Sequence, residues 1–130
     1  MKPLRVLVVE DDALLGIMLG EVLEELGFEI AAIEATEADA VSAATRCKPD
    51  LMIVDVRLHL GSGISAVDKI CQAGFIPHVF VTGDMAEVRA RRPGAFAIHK
   101  PFMEADLALA IQKAVAAAGW DAGGITASPR

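Results

Sequence analysis

The chain has 130 residues, 54% of them hydrophobic, and a formal charge of −6 at pH 7. That is apolar mass enough for one domain whose core needs no staple, and too much for a disordered chain. The negative balance disfavours sequence-independent nucleic-acid contact, and no apolar stretch approaches the roughly 20 residues of a membrane span.

Strand and helix patterns alternate from the start, with no charged-then-apolar leader. Val6 to Val9 reads as a first strand, and Asp12 is placed to cap a helix that runs to about Leu26 and is ended by Gly27. Phe28 to Ile33 reads as a second strand. Thr36 is placed to cap a helix to about Cys47, stopped before Pro49. Leu51 to Asp55 is the third strand, followed by a loop with Gly61 and Gly63 and a helix from about Ile64 to Gln72. His78 to Thr82 and Ala95 to Ile98 are the fourth and fifth strands. Between them Met85 to Arg92 spans only two turns, so a short, mobile or partly unwound fourth helix is expected. A last helix covers about Met103 to Ala118. Five βα repeats predict an α/β fold with a five-stranded parallel sheet and helices on both faces. Residues 1–118 form this domain. Gly119 to Arg130, rich in small and polar residues, is expected to be a disordered tail.

The informative residues stand where apolar runs end. The first strand runs into Glu10-Asp11-Asp12, the third into Asp55, the fourth into Thr82-Gly83, and the fifth leads through His99 to Lys100-Pro101. Sites in open α/β sheets form outside the carboxyl ends of the strands. Two adjacent acids and a third carboxylate suit a hard divalent cation such as Mg²⁺, which takes oxygen ligands and only one or two protein carboxylates. Carboxylates are established nucleophiles toward phosphate, and an ammonium with a hydroxyl donor meets charge on a transferred group. Cys47 and Cys71 form no CxxC pair, and His59, His78 and His99 lack metal-ligand spacing.

With these residues the chain resembles the receiver domains of two-component response regulators over about residues 4 to 118. The resemblance implies strand order 2-1-3-4-5, Asp55 as phosphoacceptor, and a Mg²⁺ site of Asp11, Glu10 through water, Asp55 and the backbone carbonyl of Arg57. It implies Thr82 as switch hydroxyl, Lys100 as the phosphate-pairing amine, and a cis bond before Pro101. The separation of 44 between Asp11 and Asp55, and Gly63 eight residues after Asp55, fit the pattern.

Many receivers carry an aromatic three residues before the lysine. Here that position is Ala97, and Phe96 beside it falls on the opposite strand face. Phe80-Val81-Thr82-Gly83 resembles the Phe-Ala-Thr-Gly signature of the FAT GUY subgroup, which also lacks that aromatic, although the tyrosine usual after the glycine is absent. Arg57 and Asp84 flank the expected site and are placed to pair over its mouth, tuning the lifetime of a phosphoryl group. In the first helix, Leu15, Leu19, Val22 and Leu26 form the expected inward stripe. Leu14 and Ile17 fall outside it and make a candidate partner surface, with Gly16 and Gly20 permitting close helix approach.

The reading is a cytoplasmic single-domain response regulator, monomer or weak dimer. It is phosphorylated by a histidine kinase or phosphotransfer protein and signals through a protein partner, with no direct nucleic-acid or membrane contact. It catalyses only its own phosphorylation and dephosphorylation. The alternative is a receiver-fold module that works without phosphorylation. An aspartate-nucleophile phosphatase would want an acid two residues after the nucleophile, where this chain has Arg57.

Overall fold

Short apolar runs rich in Val and Ile make the sheet. In the computed structural model, which describes residues 2–119, the strands are β1 (Arg5–Val9), β2 (Glu29–Glu34), β3 (Leu51–Asp55), β4 (His78–Thr82) and β5 (Phe96–His99). All neighbours pair in parallel, in the order β2-β1-β3-β4-β5. The helices are α1 (Ala13–Glu25), α2 (Glu37–Cys47), α3 (Gly63–Cys71), α4 (Met85–Arg91) and α5 (Glu104–Ala117).

Successive strand residues point to opposite faces, and two cores result. Val6, Val8, Leu51, Ile53, Val79 and Val81 pack with residues of α1 and α5. Leu7, Val9, Met52, Val54 and Phe80 pack with residues of α2, α3 and α4. Helices therefore cover both faces, as the sequence predicts.

Side-chain caps start the helices. Asp12, Thr36, Ser62 and Asp84 accept from the N–H groups of Leu15, Asp39, Ser65 and Glu87. Each satisfies one of the orphan donors of a first turn. Asp106 reaches back to the N–H of Met103 at 3.0 Å before α5.

Several sequence expectations need correction. Phe28 does not begin β2; it closes α1. Gly27 takes a left-handed φ of 98°, its N–H bonds Glu24 O, and the N–H of Phe28 bonds Leu23 O at 3.0 Å. This is a Schellman ending, with Phe28 and Leu23 buried in one core. Of the expected inward stripe of α1, Leu19 and Leu26 are buried and Val22 packs against the same core. Leu15, however, is 43% exposed, and the inward face is completed by Gly16, Gly20 and Leu23. Gly16 and Gly20 serve approach to β2 rather than to a partner. A Cβ on Gly16 would lie 3.1 Å from Ile33 and one on Gly20 3.4 Å from Ile33. Helix α4 is short, at seven residues, but wound, with Val88 buried beneath it. The expected tail falls on residues 120–130, outside the described residues, apart from Gly119. Among the described residues no helix is long and apolar enough to cross a membrane.

Candidate functional site

Because all five strands run the same way, their carboxyl ends share one edge, and β1, β3, β4 and β5 deliver Glu10, Asp11, Asp55, Thr82 and Lys100 there. Each is positioned by its strand exit. Glu10 continues the β1–β2 ladder through its N–H to Glu34 O at 2.9 Å, and its Oε2 accepts the N–H of Asp12 at 3.1 Å. Lys100 is fixed by its N–H to Thr82 O at 2.8 Å, and its peptide bond to Pro101 is cis.

The Lys100 ammonium bridges two buried acids. Nζ lies 2.6 Å from Asp55 Oδ2 and 3.2 Å from Glu10 Oε1. Asp55 is 7% exposed and Glu10 6%. Its other oxygen, Asp55 Oδ1, accepts the N–H of Arg57 at 3.1 Å. Asp11 Oδ2 accepts the N–H of His59 at 2.8 Å. Burial pushes the Glu10 carboxyl up to about 7 against the Asp12 N–H, with the charge of Asp55 and a hydrogen bond that the protonated carboxyl gives to Asp11 adding to the rise and Lys100 opposing it. Burial alone would lower Lys100, but its hydrogen bond to Asp55 and the charges of Asp55 and Glu10 outweigh that and raise it.

Glu10, Asp11 and Asp55 each offer an oxygen, all within 4.8 Å of one another. Three acids face one ammonium, so the cluster keeps uncompensated negative charge, and its donors are all hard oxygens. That donor set fits Mg²⁺. Beside it, Thr82 is 1% exposed and its Oγ1 accepts the N–H of Asp84 at 2.8 Å. A hydroxyl used as acceptor keeps its own proton to donate elsewhere.

Arg57 and Asp84 meet as the sequence suggests, at 3.3 Å, with Arg57 73% exposed at its side chain. Arg57 Nε also reaches Glu87 Oε1 in α4 at 3.4 Å. Leu14 and Ile17 lie at the surface, 65% and 56% exposed, beside exposed Met18. Phe96 packs with the α1 and α5 core and Ala97 with the opposite one, so the position of the usual aromatic is filled by a methyl group.

Four residues were not singled out for what they do here. His59 contributes only its backbone. Glu87 extends the Arg57 pairing by one helical turn, a reach that no local pattern reveals. Gly63 packs against the carbonyl of Asp55 with no room for a Cβ. Glu37 looks like an ordinary first-turn acid, yet it accepts from the Ser62 N–H at 2.9 Å, the Ser65 hydroxyl at 2.7 Å and Lys69 at 2.6 Å.

Known proteins resemble this chain in sequence and in fold. The chain is 42% identical over 118 residues to the transcriptional regulatory protein PdtaR of Mycobacterium tuberculosis, covering 87% of this chain and 57% of that one. It is 32% identical over 115 residues to the phyllosphere-induced regulator PhyR of Methylorubrum extorquens, covering 85% of this chain and 43% of that one. It thus spans about half the length of these curated relatives. The solution structure of the PhyR receiver domain of Erythrobacter litoralis superposes with a TM-score of 0.82 at 31% identity, covering 88% of this chain and 92% of that one. The family described as the response regulator receiver domain matches residues 6–112, and the chain belongs to it.

Proposed function

We propose that Asp55 accepts a phosphoryl group from a phosphohistidine of a histidine kinase or phosphotransfer protein, in a Mg²⁺-dependent step, and that the modified chain signals through a protein partner. The observation that carries this is the buried Asp55 carboxylate, held by Lys100 at 2.6 Å with oxygens of Glu10 and Asp11 within 4.8 Å. A carboxylate oxygen of Asp55 forms the new P–O bond as the donor's P–N bond breaks. The electron pair of that bond stays with the imidazole nitrogen, which takes a proton from solvent. Lys100 transfers its ammonium from Asp55 to a phosphoryl oxygen, and Thr82 donates its hydroxyl proton to another.

Asp11, Asp55, the Arg57 carbonyl and, through water, Glu10 would hold Mg²⁺. When bound, it neutralises the crowded carboxylates and the incoming phosphoryl oxygens. Arg57 and Asp84 restrict water at the mouth, and Leu14 and Ile17 belong to the docking surface of the donor. The Phe80–Gly83 signature and Ala97 support the FAT GUY subgroup. We place the protein in the cytoplasm as a monomer or weak dimer without direct nucleic-acid or membrane contact, turning over no external metabolite. PhyR of Bartonella quintana is described as an anti-anti-sigma factor, which supports a protein target for this chain too.

The test is intact mass after incubation with Mg²⁺ and a small acyl phosphate, comparing wild type with Asp55→Asn. A metal-dependent adduct absent from the variant is expected. Ala97, which leaves out the usual aromatic, favours the second reading, a module that binds its partner irrespective of phosphorylation. An unmodified wild type would support it.

A further inference from the structure

Asp11, just past the end of β1, and Asp55, the last residue of β3, are gripped by the same loop. Arg57 gives its N–H to Asp55 Oδ1 and His59 gives its N–H to Asp11 Oδ2. The loop runs from there to Ser62, where its ends meet in a bridge between Arg57 and Ser62 and Gly63 N–H bonds Val56 O at 2.9 Å. Where Arg57 and His59 aim their N–H groups therefore depends on how the stretch from Leu60 to Ser62 is held.

That stretch is held from another helix. Glu37, at the start of α2, gives its N–H to Leu60 O at 3.1 Å. Its Oε1 takes the Ser62 N–H, and its Oε2 takes the Ser65 hydroxyl and the Lys69 ammonium. The space above Gly61, whose φ is +95°, is filled by the Glu37 side chain, so the loop cannot move toward α2 without displacing it. One carboxylate thus fastens both the loop's far end and α3, through Ser65 in its first turn and Lys69 in its last.

We infer that Glu37 is a positioning residue for phosphorylation, holding the loop so that its Arg57 and His59 N–H groups bind Asp55 and Asp11. This rests on the reading of Asp55 as acceptor. The carboxylate is 14% exposed at its side chain and fully supplied with donors. Lys69 first, then the Ser62 N–H and the Ser65 hydroxyl, hold its carboxyl well below the usual range, at about 2. It is therefore ionised at neutral pH.

The experiment compares the 130-residue wild-type chain with Glu37→Ala, Glu37→Gln and Lys69→Met. Amide hydrogen exchange is read at Arg57, His59 and, as a core reference, Phe80, together with Mg²⁺ affinity and the rate of phosphorylation by acetyl phosphate. In Glu37→Ala, protection at Arg57 and His59 falls while Phe80 keeps its own. The phosphorylation rate drops by roughly ten- to a hundredfold, as a displacement of about 1 Å can produce. Glu37→Gln keeps one acceptor for Ser62 and is intermediate. Lys69→Met lowers the melting temperature but leaves the rate and the loop amides unchanged, because the loop contacts of Glu37 remain. Wild-type exchange and rate in Glu37→Ala would overturn the inference, as would Lys69→Met losing as much as Glu37→Ala. If wild type takes no phosphoryl group the acceptor reading fails, while exchange and Mg²⁺ affinity still decide the role of Glu37.

Discussion

Gly63 abuts the backbone carbonyl of Asp55 so closely that a Cβ at position 63 would overlap the oxygen, with the Val54 side chain 2.8 Å away on its other side. The strand that carries the candidate nucleophile and the first turn of α3 can be this near only because residue 63 has no side chain. Gly63→Ala is expected to destabilise the fold by about 1–3 kcal/mol, the usual range for overpacking a core. It should also slow phosphorylation, because the strain falls on Asp55 itself. Thermal melts and adduct formation measure the two effects.

Glu10 gives the site a pH response. Its carboxyl is raised from 4.5 to about 7 in the folded chain, chiefly by burial, so the folded state holds its proton more tightly than the unfolded one. The associated stability is full below pH 4.5 and is lost as pH rises through 7. Mg²⁺ wants the ionised carboxylate, so its apparent affinity should increase between pH 6 and 8 and then level off. Glu10→Gln should flatten that dependence. Calorimetric titrations of both proteins across this range provide the check.

Arg57→Ala removes both exposed ion pairs, to Asp84 and Glu87. Such pairs contribute less than about 1 kcal/mol each, so the melting temperature should change little. The lifetime of the acyl phosphate should shorten, since water reaches Asp55 more freely. Following loss of the phosphoryl adduct by mass separates the two effects.

Leu14→Ser with Ile17→Ser alters two exposed positions on α1 and is expected to leave stability within about 0.5 kcal/mol per substitution. Phosphorylation by acetyl phosphate should match wild type, while transfer from a phosphohistidine protein should fall. Equal rates from both donors would assign the docking surface elsewhere.

Legibility in the sequence tracks the range of the interactions. The strands, the cap residues Asp12 and Thr36, and the opposed faces of Phe96 and Ala97 follow from local pattern, because a period of two and an N-cap are local physics. The inward face of α1 is legible only in part: Leu19, Val22 and Leu26 follow the helical period, but Leu15 does not, because Ala13–Glu25 is apolar on most sides. What decides its rotation is where β2 admits the helix, and the residues that fit there, Gly16 and Gly20, carry no hydrophobic signal. Phe28 resembled a strand residue because a Schellman ending needs an apolar residue where a strand also would. Glu37 and Glu87 were missed because their partners are 25 and 30 residues away.

Three consecutive acids after β1 have three different employments. Glu10 turns inward to Lys100, Asp11 is clasped by the His59 amide, and Asp12 caps α1. Since Asp12 also gives its N–H to Glu10, the helix and the metal-facing carboxylates are joined with no slack between them. Any body seated on Leu14 and Ile17 is thereby surveyed from the same datum as Asp55. On the proposed reading, in which that surface receives the phosphodonor, a single residue inserted between β1 and α1 is expected to spoil its alignment with Asp55 without touching either surface.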